Sequence, residues 1–150
     1  MTQLEIMGAN AKNASVFLRT AGSKKDDALL AIAKALREHS DEIIKANEID
    51  IENGKNAGLT ESLLDRLRLT PERINGMAEG VEQVAALADP IGNVLEGRTL
   101  KNGLNIEKVR VPMGVIGIIF EARPNVTSDA AALCPVSYTH LRAHETGRNL

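Results

Sequence analysis

Residues 115–120 hold Val115, Ile116, Ile118, Ile119 and Phe120, with no charge among them. The block is apolar and β-branched. It is long enough for a strand buried on both faces, as in a parallel sheet. Glu121 ends it. Arg123, Pro124 and Asn125 follow, and Pro124 biases Arg123 away from helix. Thr127, Ser128 or Asp129 can then cap a helix over residues 130–133. A parallel strand that ends in a polar loop and a helix start is where open α/β sheets hold ligands.

Upstream of residue 90 the apolar period is helical. Leu4, Met7, Ala11, Ala14 and Leu18 mark one face, ended by Gly22. Ser23 is a candidate cap for the next helix, with Asp26 as a short capping box, and Leu29, Ile32, Ala33 and Leu36 are its buried stripe. Ser40 or Asp41 restarts or continues it through Ile43, Ile44 and Ile51, and Asn53-Gly54 and Ala57-Gly58 mark its end. Two further helix starts carry hydrophobic staples: Thr60 with Leu59 and Leu64, and Thr70-Pro71 with Leu69 and Ile74. Ile74, Met77, Ala78, Val81, Ala85 and Ala88 then line one face until Pro90.

From Ile91 the period changes. Residues 94–100 and 104–111 flank Asn102-Gly103, a hairpin signal. The phase slips at Glu107-Lys108, which predicts a bulge or bend there.

This order, helices then hairpin then the first strand of a parallel unit, predicts an α/β fold whose organisation divides at residues 1–90, 91–112 and 113–134. Its core is aliphatic, because aromatics make up 2% and Trp is absent. A net charge of −2 gives no nucleic-acid footprint. No apolar run reaches the roughly 18 residues of a membrane span. The N-terminus has no basic region followed by an apolar core, so no signal peptide is read. One cysteine excludes an internal disulfide and fits a reducing, cytoplasmic compartment.

The segment RVPMGVIGIIFEARPNVT closely resembles the γ-glutamyl phosphate reductase family of the aldehyde dehydrogenase superfamily, and LTESLLDRLRLTPERI and NGLNIEKV resemble it too. The resemblance runs to about Cys134. It implies an N-terminal fragment: helices, a β-hairpin of the kind that serves homo-oligomerisation, and the first strand-loop-helix of a Rossmann-like domain that binds NADP. For the intact enzyme it implies reduction of L-glutamate 5-phosphate by NADPH to the 5-semialdehyde and phosphate, in proline biosynthesis. A cysteine thiolate forms the acyl-enzyme and hydride reduces it. That cysteine lies downstream of this sequence, so the fragment itself is expected to be inactive.

On the same resemblance, Ile119, Phe120 and Glu121 fall at the strand end that lines the cofactor. Gly114 and Gly117 do not complete a G-x-G-x-x-G fingerprint, which this superfamily does not use. Arg123 and Asn125 are the candidate substrate-binding residues. A guanidinium fork suits the substrate's carboxylate or phosphate, and an asparagine amide can donate to an oxyanion. The superfamily's oxyanion loop, set against Pro124, puts Ala122 where its asparagine would be, so Asn125 rests on proximity alone. The competing reading is that Arg123 and Asn125 only cap the loop and helix.

Cys134 reads as a small buried hydrophobe rather than a nucleophile. Cys134, His140 and His144 imitate zinc spacing, yet no metal is expected, because both histidines fall in residues 135–150. That stretch, PVSYTHLRAHETGRNL, resembles one reading frame of a transposon-type sequencing adaptor, and Pro135 interrupts the helix before it. It is expected to be a non-native tail. His39 is expected to be a solvated helix-end residue. Two alternatives remain at this level: another acylating aldehyde dehydrogenase, and a non-enzymatic helical interaction module.

Overall fold

A computed structural model describes residues 2–120 and 123–136, and the backbone of 141–145. Five helices come first: α1 (Gln3–Leu18), α2 (Lys24–Glu38), α3 (Ser40–Asn56), α4 (Glu61–Leu67) and α5 (Pro71–Ala85). A hairpin of β1 (Val94–Thr99) and β2 (Asn105–Val109) follows, then β3 (Ile116–Phe120), α6 (Asn125–Val136) and β4 (Leu141–Glu145). The fold is mixed α/β, as expected. Among the described residues no helix is long and apolar enough to cross a membrane.

The core lies where α2, α5 and α6 meet. Leu29 and Ala33 of α2, Ala78 and Val81 of α5, and Ala132 of α6 form one buried cluster. Small residues at these positions let the helix axes approach closely. Ile32, Leu36, Val84 and Ala85 pack around it. The predicted stripes of α2 and α5 are thus the faces that are buried. The stripe of α1 is also its less exposed face, with Ala11 buried and Met7, Ala14 and Leu18 half-buried; the exception is Leu4, 69% exposed.

Several helix ends differ from the sequence expectation. Ser23 is itself helical and makes no side-chain cap. Thr60 is extended but also makes no cap hydrogen bond. The capping box is instead at Thr2, whose backbone N–H donates to Glu5 Oε2 at 2.7 Å while its hydroxyl accepts from the Glu5 N–H. Thr70 does cap α5, accepting from the Arg73 N–H at 3.2 Å. Asn53-Gly54 does not end α3. Gly54 is buried inside it, where an added Cβ would stand 2.9 Å from a Leu59 methyl and 3.0 Å from one of Leu64. The staple pair therefore closes over a glycine, and α3 ends at Asn56, followed by Ala57 and by Gly58 with φ +77°. α5 stops at Ala85, before Pro90, and Ala88 is exposed.

The hairpin closes through Lys101, Asn102 and Gly103. Gly103 donates to the Leu100 carbonyl and has φ +87°, the left-handed residue of a three-residue loop. The irregularity in pairing lies in β1 between Val94 and Glu96, not at Glu107-Lys108, which pair in register with Gly97 and Glu96. The extra residue, Leu95, falls opposite the step from Lys108 to Val109. Both strands are exposed along their whole length.

β3 is not buried on both faces. Residues alternate half-buried and exposed, and Ile119 is 75% exposed. α6 covers only one side of it. The parallel partner of β3 is β4, in register from Ile116–Leu141 to Phe120–Glu145. One expectation is corrected here: α6 runs through Pro135 to Val136. Pro135 has no N–H to donate to the Ala131 carbonyl, so its cost falls on the turn that precedes it.

Candidate functional site

α6 begins at Asn125, directly after Pro124, rather than in the 127–129 stretch. The fixed φ of proline suits the start of a helix. Ser128 therefore turns inward and donates to the Asn125 carbonyl at 2.8 Å instead of capping. Asn125 Nδ2 donates to Asp129 Oδ2 at 3.2 Å. Arg123 is exposed, and its carbonyl accepts from the Val126 N–H at 3.2 Å.

Facing this loop is the connection between α4 and α5. A buried asparagine sets its path. Asn47 of α3 is 6% exposed. Its Nδ2 donates to the Leu67 carbonyl at 2.9 Å, and its Oδ1 accepts from the Leu69 N–H at 2.7 Å. One side chain thus satisfies a backbone donor and acceptor that leave the helix ladder. Arg73 fastens the same turn from the other side. It donates to the carbonyls of Asp65 and Arg68, and to Asp65 Oδ1 at 3.0 Å.

Between the two loops lies a cleft of about 430 Å³. Arg66, Arg68, Arg73 and Arg123 line it, with Asp65 and Asp129 as its carboxylates and Leu69, Met77 and Pro124 as apolar wall. The predicted pair Arg123 and Asn125 both border this cleft. Ile119 and Phe120 do not; they stand on β3, Ile119 outward and Phe120 half-buried. Glu121 lies outside the described residues. Arg66, Arg68 and Arg73 carry no periodic signal in the sequence. Their crowding into DRLRLTPER is visible there, but its direction toward Arg123 is not.

Two ion pairs elsewhere tie α2 to α5 and to the segment after it. The Arg37 guanidinium donates to both Glu82 oxygens and to Asn75 Oδ1. These hydrogen bonds hold the Glu82 carboxyl below its ordinary range and raise Arg37, against a smaller desolvation effect. Lys25, 4% exposed, pairs with Asp89, whose other oxygen accepts from the Ile91 N–H.

Cys134 is 3% exposed within α6. Among the described residues no three His, Cys, Asp or Glu side chains gather as a metal site. His140 and the side chain of His144 lie outside them. His39 stands at the α2–α3 break, exposed, with Nδ1 3.2 Å from Glu42 Oε2.

No family model matches the chain. Over 121 residues it is 57% identical to the γ-glutamyl phosphate reductase of Cutibacterium acnes, covering 81% of this chain and 29% of that protein. It is 52% identical to that of Moorella thermoacetica over 133 residues, 88% of this chain and 32% of that one. The crystal structure of γ-glutamyl phosphate reductase from Thermotoga maritima superposes with a TM-score of 0.92 at 39% identity, covering 96% of this chain and 35% of that chain. The Saccharomyces cerevisiae enzyme gives 0.87 at 34% identity, covering 96% and 38%. In sequence and in fold the chain is thus similar to γ-glutamyl phosphate reductases, and it spans about 30% of the length of the curated relatives it matches.

Proposed function

We propose that this chain forms part of a γ-glutamyl phosphate reductase, an oxidoreductase of proline biosynthesis acting in the cytoplasm. The observation that carries this reading is the joint match, 57% identity to one such enzyme and a TM-score of 0.92 to another. The substrate is L-glutamate 5-phosphate, and the products are the 5-semialdehyde and phosphate.

In this reading Arg123 and Asn125 hold the substrate. Both border an arginine-rich cleft at a helix start, where cationic groups and helix N–H groups favour an anion. The nicotinamide cofactor, NADP in our reading, belongs at the end of β3. Ile119 offers an exposed apolar surface there, which suits one wall of a nicotinamide site; Phe120 and Glu121 follow it in sequence. When bound, the cofactor supplies hydride. The chain's own cysteine does not serve as nucleophile, because Cys134 is buried in α6. The 150-residue chain alone is therefore inactive. Homo-oligomerisation through residues 91–112 is consistent with a hairpin exposed on both strands. Residues 135–150 are a non-native extension in this reading.

A chimaera tests the assignment. Residues 1–134 replace the corresponding segment of the Thermotoga maritima enzyme. The expected result is NADP reduction that depends on semialdehyde and phosphate, with a raised KM in the Arg123→Gln chimaera. A folded chimaera without turnover would overturn the reading.

A further inference from the structure

We infer that the cleft between the α4–α5 connection and the start of α6 is a subsite for a phosphate dianion, held by Arg66, Arg68 and Arg123. Four guanidinium groups line it against two carboxylates, so its lining is positive by two charges. The carboxylates are already engaged. Asp65 is bound by Arg73, and Asp129 accepts from Asn125. Arg73 is likewise committed, to Asp65 and to two backbone carbonyls. The guanidinium groups of Arg66, Arg68 and Arg123 have no hydrogen-bond or ion-pair partner among the described residues.

The arrangement is held from beneath. Asn47 anchors the backbone on both sides of Arg68 through Leu67 and Leu69, and Arg73 donates to the Arg68 carbonyl. Backbone fixed at a turn that projects uncommitted arginines lowers the ordering cost of binding. Planar forks with two charges in excess match a phosphate monoester better than a single carboxylate. The binding itself stands on this lining alone; assigning the phosphate to an acyl phosphate substrate rests on the reductase reading.

The whole 150-residue chain is titrated with inorganic phosphate, acetyl phosphate, adenosine 2′,5′-bisphosphate and L-glutamate, followed by the arginine Nε–H resonances in nitrogen-15 spectra. Inorganic phosphate and acetyl phosphate should shift Arg68 and Arg123. Arg68→Gln and Arg123→Gln should each weaken phosphate by about tenfold, with unchanged circular dichroism. Arg37→Gln, away from the cleft, should leave it unaltered. Tighter binding of the bisphosphate at the same arginines would also support the site and assign the phosphate to the cofactor. Phosphate affinity unchanged in both cleft variants, or L-glutamate binding as tightly as phosphate, would overturn it. An active chimaera with no phosphate response removes the subsite and leaves the function standing; a phosphate response with an inactive chimaera does the reverse.

Discussion

Asn47 shows how one side chain can decide a local path. Leu67 ends α4 and Leu69 precedes α5, so the Leu67 carbonyl and the Leu69 N–H have no helical partner. Asn47 supplies both. Asn47→Ala should lower stability by about 1–3 kcal/mol, since buried groups are left unsatisfied, and it should loosen the turn that carries Arg68. Urea denaturation measures the first effect. Amide hydrogen exchange at Leu69 measures the second, and unchanged protection there would contradict this account. Glu82 behaves differently because it is solvated. Hydrogen bonds from Arg37 lower its folded-state carboxyl. Its contribution is therefore present above the ordinary glutamate value of about 4.3 and is lost as pH falls through the lower folded value. Glu82→Gln should flatten the fall in urea midpoint on that acid side. An equally steep fall in the variant would show that the pair does not couple to folding.

At the scale of elements, caps and turns were only partly where the sequence placed them. Thr70 caps α5 through the Arg73 N–H, and Thr70→Ala should cost about 1 kcal/mol. The same change at Thr60, which makes no cap hydrogen bond, should cost much less. The difference between the two melting temperatures checks the distinction. Both threonines precede a helix and sit in a staple pattern, so the sequence treats them alike. The backbone is extended at both Thr60 and Thr70, and only the Thr70 hydroxyl accepts from a helix N–H. Gly54 carries the same lesson. Asn-Gly reads as a helix end, yet the chain stays helical there because Leu59 and Leu64 close onto the missing Cβ.

Across the whole molecule, the buried apolar surface is concentrated where α2, α5 and α6 meet. The β segments bury little. Val111 is 72% exposed, Met113 80% and Ile119 75%. Among the described strands β3 pairs on one edge only, with β4. An apolar strand with an open edge templates further pairing. The chain is expected to self-associate at micromolar concentration, and a Val111→Lys, Ile119→Lys double variant to do so less. Sedimentation velocity decides. A monodisperse wild-type monomer would mean that β3 and the hairpin are protected in some other way. The helical faces of α2 and α5, the hairpin turn and the α/β class were legible in the sequence, because hydrophobic period and turn chemistry act over a few residues. The relation to γ-glutamyl phosphate reductases was legible too, in the residues around β3. Tertiary structure alone decided that α1 leaves Leu4 in solvent, that Ile119 faces outward, that Asn47 reaches the chain twenty residues on, and that arginines 66, 68 and 73 share a cleft with Arg123. Local preference fixes backbone conformation within a turn or two. Which faces meet depends on packing between segments far apart in the chain, and no local pattern encodes that.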